Sequence, residues 1–564
     1  MFFVFLALTV LAVLTLDVGK WRGASGLFYT YQLLKVIVVA VLSFFLLYVQ
    51  LIDLSFQSWF AHYAWLIILI WIGEYFISTK KGTFISTIQL IVALLSVLFL
   101  IYVSTIYPIT IANDKFKVVE GKKENNLLPQ TDDQNIVSVP LVYAQYKAEK
   151  LMGELENSSY YELGEYTIQN IDGELMYVSP IEFSEFSTWR RSGKEVPGYI
   201  EVSAVDENKP AKLVKEKMKY TPSSYFGNNL YRKARQAAPT SILLGVSFEP
   251  KDNGKPYYII TYGHYTQFRK IQKVDGVMVM DPLTGDIQKY TNKNIPSFID
   301  QSIPADTIAS PYNHWYGRYE RGWLNSVWGK KGLKLPTSWG LDSDVSPVYN
   351  NKGEMSWFTD FTTINKNASS MIGYSMMNAR TGELVFYYGN QANGLINGDA
   401  AKKVVDKTFT KDKWEGVQPM LYNIYGEMTW FLPVVDGDGL LRSYALVNAK
   451  DPKVLAVSDT KSKVFERYKS LIVNKLGAQN VKPGTGLDMK TVKGKILSKE
   501  VVSKEDDTFV YLRLDSKLNK IYRASMSKTP FSIVLEKGEN VEIKYVDTKE
   551  AIAEVQDLQE MQDK

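Results

Sequence analysis

The sequence predicts a membrane-anchored α+β protein: N-terminal transmembrane helices, then repeated helix-plus-antiparallel-sheet modules, then a small C-terminal β-barrel. Three observations carry this. The first 112 residues hold four apolar stretches and the remainder is water-soluble in character. A pattern of turns and strands recurs four times after about residue 150, and short strand patterns crowd together near the C-terminus.

The apolar stretches cover residues 2–16, 28–52, 59–78 and 84–112, and a helix needs ~20 mostly apolar residues to cross the hydrocarbon core. The first is short, but it lacks a basic leading region and a small-x-small cleavage site, so it reads as a retained helix rather than a signal peptide. Short loops set orientation, because basic residues stay on the cytoplasmic side. Lys20 and Arg22 follow the first stretch, no basic residue surrounds Asp53, and Lys80 and Lys81 follow the third. The expectation is a multi-pass cell-membrane protein with everything from Asn113 onward extracytoplasmic. Lys115, Lys117, Lys122 and Lys123 oppose this, yet long domains translocate largely regardless of charge. Lys35 and Glu74 lie inside apolar stretches at matched depth, so they either form an intramembrane pair or snorkel separately to the interface. A single such pair gives no path for transport.

The chain has no cysteine, so core packing rather than disulfides must hold the outer region. That region exceeds the ~250 to 300 residues of a single core, which predicts several modules. The expected divisions are an anchor at 1–112, a linker at 113–149, modules at 150–245, 246–345, 346–415 and 416–480, a barrel at 488–548 and an acidic helical tail at 549–564. The Lys, Asn, Ile and Tyr content suggests a Gram-positive bacterium of low GC content or one of its phages. A net charge of +5 gives no argument for nucleic acid as a partner.

Each repeat reads as a glycine turn, an aromatic strand, a loop, a second apolar strand ending in Asp/Asn-x-x-Thr-Gly or a relative, and a further strand. The clearest copy runs from Gly353-Glu-Met-Ser-Trp357 through Ile372-Gly-Tyr-Ser-Met-Met377 to Asn378-Ala-Arg-Thr-Gly382. Others begin at Gly426-Glu-Met-Thr-Trp430, at Gly254-Lys-Pro-Tyr257 with Asp281-Pro-Leu-Thr-Gly285, and at Gly173-Glu-Leu-Met-Tyr177 with Gly198-Tyr-Ile-Glu-Val202. Alternation puts one face of each strand on a core, and Thr-Gly supplies the positive φ of a tight turn. Helical windows at about 400–409 and 463–476 separate strand sets, so a helix packed on a small antiparallel sheet is the expected unit.

A helix followed by a hairpin whose turn reads Asp-x-x-Thr-Gly resembles the PepSY family of bacterial extracytoplasmic domains, over about residues 150–475. The resemblance implies a binding or inhibitory module and brings no catalytic residue with it.

Between the second and third copies, residues 311–331 concentrate Trp315, Arg318, Tyr319, Arg321, Trp323 and Trp328. These side chains combine large apolar area with polar tips, as at binding hot spots, and suit a packed inter-module crossing equally well. Five closely spaced strand patterns, at 494–497, 508–514, 520–525, 531–534 and 540–546, suggest an OB-like barrel, a fold that takes oligonucleotides or oligosaccharides.

His62, His264 and His314 are the only imidazoles, so clustered His/Cys zinc sites are excluded. There is no Gly-x-Ser-x-Gly elbow and no phosphate-binding Gly-x-x-x-x-Gly-Lys-Ser/Thr loop. Asp436-Gly-Asp438 and Asp342-Ser-Asp344 read as turn chemistry. The expected function is therefore non-catalytic, without cofactor: an envelope platform that contacts membrane lipid and engages a protein partner. The alternatives are a glycan-binding protein and an envelope hydrolase with unidentified carboxylates. Self-association through the tail is a further expectation, and nucleic acid is not expected outside the membrane.

Overall fold

A computed structural model describes residues 2–22, 24–77, 84–119, 121–337, 344–365, 368–389, 392–476, 487, 489–504, 507–547 and 551–561. Lys80, Lys81 and Asp342, used in the sequence reading, lie outside the described residues.

Three helices are long and apolar enough to cross a membrane: Gly26–Val49, Phe56–Phe76 and Phe84–Thr110. The first apolar stretch instead forms the 12-residue helix Phe2–Val13, which at 1.5 Å per residue is ~18 Å long. That falls short of a ~30 Å hydrocarbon core, so the expected anchor of four helices has three long enough to cross and, as its first, a short companion. The short helix stops where Thr15 and Asp17 find polar partners, Asp17 accepting from the Gly19 amide at 3.0 Å. It is held by indoles of the third helix, with Trp59 Nε1 donating to Thr9 Oγ1 and Trp71 Nε1 to the Ala12 carbonyl, both at 2.8 Å.

Beyond the helices, four antiparallel meanders follow one another. Sheet I uses Thr167–Ile171, Glu174–Phe183, Tyr199–Ser203 and Lys212–Val214, with Tyr161–Leu163 added at its edge. Sheet II uses Ile242–Phe248, Tyr258–Thr266, Ile271–Met280 and Ile287–Thr291. Sheet III is built on Ser346–Tyr349, Met355–Thr362, Gly373–Asn378 and Leu384–Tyr387, and sheet IV on Met420–Ile424, Glu427–Val435, Leu441–Asn448 and Leu455–Ser458. A helix precedes each: Leu141–Met152, Leu230–Ala237, Ser310–Tyr319 and Gly398–Thr408.

The recurring sequence turns occupy equivalent places. Gly173, Gly254, Gly353 and Gly426, between the first and second strands, have φ of +82°, +79°, +75° and +81°. A side chain is disfavoured there and glycine is not. Between the third and fourth strands the Asp or Asn side chain closes the turn. Asp281 Oδ1 accepts from the Leu283 and Thr284 amides, Asn378 Oδ1 from Arg380 and Thr381, and Asn448 Oδ1 from Lys450 and Asp451. This explains why Lys450-Asp-Pro-Lys can replace Thr-Gly in the last copy: the asparagine carries the turn.

The sheets form a ring around one hydrophobic cluster. Sheets I and II meet at Tyr199 and Phe248, ring centroids 5.1 Å apart. Sheets II and III meet where Thr261 Oγ1 donates to the Ser302 carbonyl and Trp357 Nε1 to the Ile303 carbonyl. Phe358 and Trp430 join sheets III and IV at 6.0 Å. The ring closes through the segment expected to be a linker. Residues 121–140 run along the seam: Lys122–Glu124 pairs in parallel with Leu384–Tyr387, Asn423 Nδ2 donates to the Leu128 carbonyl, and the Ser138 and Val139 amides donate to the Ala204 carbonyl. Ile136, Val137 and Val139 are buried, which is why this stretch is structural rather than a tether. Radial repetition of meanders is the way a propeller protects its sheet edges. The expected module boundary at residue 245 falls inside the strand Ile242–Phe248, because that strand opens the second sheet rather than ending the first.

A closed barrel follows, in the order Met489–Lys504, Asp507–Leu514, Ile521–Ser525, Ile552–Glu560, Asn540–Val546. Ile521–Ser525 and Ile552–Glu560 pair in parallel while the other pairs are antiparallel. Two sequence expectations change here. Residues 531–534, read as a strand, form the short helix Pro530–Ile533. The tail read as an acidic helix is the closing strand, with Ala553, Val555 and Leu558 in the barrel core. Without it Ile521–Ser525 and Asn540–Val546 would be open edges.

Candidate functional site

A cleft of about 490 Å³ is lined by sheets I, II and III and by the approach to sheet IV. Sheet I supplies Thr167, Ile168 and Tyr177, sheet II Leu243–Ser247 and Thr261, sheet III Pro347 and Trp357, and the approach to sheet IV Gln418. Loops and helices add Glu165, Tyr166, Tyr231, Gln301, Asp306 and Thr307. The cleft continues past Leu141, Glu165 and Tyr166 into a depression of about 810 Å³ beside the helix Leu141–Met152, where Glu149, Tyr161 and Glu162 line it. The result is an elongated groove whose described lining has carboxylates and no Lys, Arg or His.

Its polar groups are positioned by backbone contacts nearby. Gln418 Oε1 accepts from the Leu141 amide at 2.8 Å, and Thr307 Oγ1 donates to the Leu244 carbonyl at 2.6 Å. Burial, then the negative charge of Asp306, pushes the Glu165 carboxyl above the usual carboxylate range. Tyr231 is also raised, first by burial and then by Glu165 and Glu182. The Tyr166 hydroxyl is buried with no hydrogen-bond partner among the described residues. The hydroxyl and amide side chains of the groove can donate as well as accept, so it presents donors, acceptors and aromatic faces together. Chemically it can grip a polar, uncharged or cationic ligand; an anion would meet Glu162 and Asp306.

A second pair of acids, Glu249 just past the strand Ile242–Phe248 and Asp300 in a loop, lies outside the cleft lining. Glu249 is completely buried, accepts from Ser247 Oγ at 2.7 Å and from the Asp300 amide at 2.8 Å, and is pushed up to about 8, chiefly by burial and then by Asp300. Asp300 accepts from the Asn170 amide at 2.7 Å and is raised to about 6, again by burial first. These groups join sheet I to sheet II. Among the described residues no cluster of three His, Asp or Glu has an arrangement suited to a metal ion.

The structure brings Lys35 and Glu74 together, Nζ to Oε1 at 2.5 Å with both side chains buried. Thr15 Oγ1 donates to the same carboxylate at 2.7 Å, and Gln32 Nε2 donates to Thr15 Oγ1 at 2.7 Å. One polar knot therefore joins the short helix to the second and third helices.

The aromatic segment divides. Trp315 stacks on Tyr312 at 5.3 Å and packs against the ring core, and Trp323 meets Trp328 edge-on at 5.6 Å. Arg318, Arg321 and Trp328 are exposed, whereas Tyr319 and Trp323 are half-buried. None of the six lines the cleft. His314 pairs with Asp344 at 2.7 Å and His264 with Asp275 at 2.8 Å.

The ring sits against the end of the helix bundle opposite Lys20 and Arg22. The Leu54 amide donates to the Pro239 carbonyl, Arg235 Nε to the Leu51 carbonyl, and Arg269 pairs with Asp53 at 2.9 Å. Arg269 lies at the tip of a sheet II hairpin in which Gln267, Phe268 and Arg269 all have positive φ. Such strain persists only where surroundings fix it, and here all three make contacts to the helix bundle. Gln267 Nε2 donates to Asp114, Phe268 packs on Phe99 and Tyr107, and Arg269 reaches Asp53.

Sequence reasoning missed Glu165, Asp306, Tyr166 and Tyr231 as a set. The adjacent Glu165 and Tyr166 are far from Tyr231 and Asp306 in the chain, so only the tertiary fold brings the set to one cleft.

No protein-family model matches the chain, and no curated protein matches it. Among solved structures, a protein assigned as a glycoside hydrolase from Parabacteroides distasonis aligns with 68% of this chain and 93% of its own at 10% identity and a TM-score of 0.18. A sialidase aligns with 76% of this chain and 47% of its own at 10% identity and a TM-score of 0.17. Scores this low do not establish a shared fold.

Proposed function

We propose that the chain is a membrane-anchored extracytoplasmic binding protein of the cell envelope, and that the groove lined by sheets I, II and III takes a glycan chain. The groove carries this reading. It is long and concave, it combines aromatic faces with hydroxyl, amide and carboxyl groups, and it lacks cationic side chains among its described lining. Sugars offer many hydroxyls for such groups and apolar ring faces for Tyr231 and Trp357. A flat apolar patch would have favoured the protein partner expected from the sequence; the groove favours the glycan alternative. The PepSY-like turns agree with a binding role. The extracytoplasmic placement rests on Lys20 and Arg22 lying at the bundle end away from the ring.

The test is calorimetric titration of the detergent-solubilised full chain with soluble cell-wall glycan fragments. Tyr231→Ala and Gln418→Ala are expected to weaken binding at least tenfold without loss of fold. Unchanged affinity in both variants would remove the groove as the site.

One observation favours a second reading, glycoside hydrolysis. Burial, then the charge of Asp306, raises the Glu165 carboxyl above its usual range, and a raised acid near a second carboxylate is the arrangement that splits glycosidic bonds. Release of reducing ends by the wild type, abolished in Glu165→Gln with binding retained, would select this reading.

A further inference from the structure

The exposed aromatic segment that the groove does not use has a distinct placement. The helix Ala112–Val119 leaves the last apolar helix directly, and the helix Ser310–Tyr319 runs back along it in the opposite direction. Tyr316 stacks on Phe116 at 5.5 Å, Lys115 lies over the Tyr319 ring at 5.8 Å, and Gly322 lies near enough to Asn113 that a Cβ there would touch its side-chain oxygen. Each step along 316, 319 and 322 therefore descends toward the end of the membrane helix. The chain that follows is left at that level with Leu324 61%, Val327 40% and Trp328 71% exposed.

Positive charge collects at the same level. Burial and the charges of Lys270 and Arg318 hold the Lys115 ammonium below the usual lysine range, which places three cations near one another. Arg321, three residues beyond Arg318 in the chain, is exposed. The neighbouring acids are engaged elsewhere: Glu320 with Lys123 and Lys334, Asp114 with Gln267, and Asp53 with Arg269. Water is a poor environment for exposed Leu, Val and Trp side chains, and Trp with flanking basic residues is the composition found at the headgroup level of bilayers.

We propose that residues 322–331 are an interfacial wedge that rests in the outer leaflet beside the anchor, with Lys115, Lys270, Arg318 and Arg321 binding the phosphates of anionic phospholipids. This rests on the membrane-anchored reading given above. The wedge would fix the height and tilt of the ring relative to the bilayer, adding a second attachment to the hairpin tip at Asp53.

Because the chain has no cysteine, a single introduced thiol can carry a nitroxide. The full-length protein in nanodiscs of phosphatidylcholine, with or without phosphatidylglycerol, would be labelled in turn at Trp328→Cys, at Leu98→Cys on a membrane helix, and at Leu283→Cys on a sheet II turn. Collision with oxygen reports lipid and collision with a water-soluble nickel chelate reports solvent. The expected result is that position 328 behaves like 98, with nickel access several-fold below that at 283, and that Arg318→Gln with Arg321→Gln shifts it toward solvent. Behaviour of 328 like 283, with 98 in lipid, overturns the wedge and leaves the anchor standing. A solvent-exposed 98 overturns both. Shielding of 328 from both agents means that protein covers it and also overturns the wedge. Equal insertion with and without phosphatidylglycerol overturns the anionic headgroup assignment.

Discussion

Glu249 is a carboxyl with no room for its charge. It is fully buried, its two nearest donors are Ser247 and the Asp300 amide, and its closest ionisable neighbour is another acid. The folded protein therefore holds a proton that the unfolded chain releases near 4.5. The stability this contributes is complete below about 4.5 and is lost as pH rises through about 8; Asp300 acts in the same sense between 3.8 and about 6. One such group changes stability by at most ~1.4 kcal/mol per pH unit. Lys461, lowered to about 8 chiefly by burial, has the opposite sign and acts between about 8 and 10.5. Urea midpoints of the full chain should thus fall from pH 5 to pH 8, and Glu249→Gln should flatten the slope. A midpoint that rises over that interval in the wild type would contradict the buried neutral acid.

Among elements, the strand Ile552–Glu560 decides whether the barrel exists. It supplies Ala553, Val555 and Leu558 to the core and covers two edges. Burying Val or Leu is worth ~1.5 to 3 kcal/mol each, and the barrel core is separate from that of the ring. Deleting residues 551–561 should let protease digest 489–547 while the ring resists; an undigested barrel would mean that four strands suffice. This strand also marks where sequence reading stops. Ile552, Val555 and Leu558 are three apart among acidic and amide residues, which reads as a helix face, and only the partner strands decide otherwise. Residues 121–140 were read as a tether for a similar reason: Ile136, Val137 and Val139 have no periodicity and acquire meaning only at the seam between sheets IV and I. The glycine turns were legible because a positive φ is a local requirement, met at Gly173, Gly254, Gly353 and Gly426 alike. The groove was not legible, since Glu165 and Asp306 are far apart in the chain and come to line one cleft only through non-local packing of the sheets.

For the whole molecule, one ring of meanders stands on a helix bundle, seated by Arg235, Arg269 and the strained hairpin tip. The ligand class follows from which side of the membrane the ring faces, so orientation is the claim on which the functional reading depends most. The direct measurement uses single cysteines in the cysteine-free chain, at Leu518 on the barrel and at Val18 in the loop with Lys20, both exposed. Intact cells are treated with a membrane-impermeant maleimide, then permeabilised and treated again. Leu518→Cys should react in intact cells and Val18→Cys only after permeabilisation. The reverse pattern would place the ring in the cytoplasm and contradict the extracytoplasmic glycan-binding account.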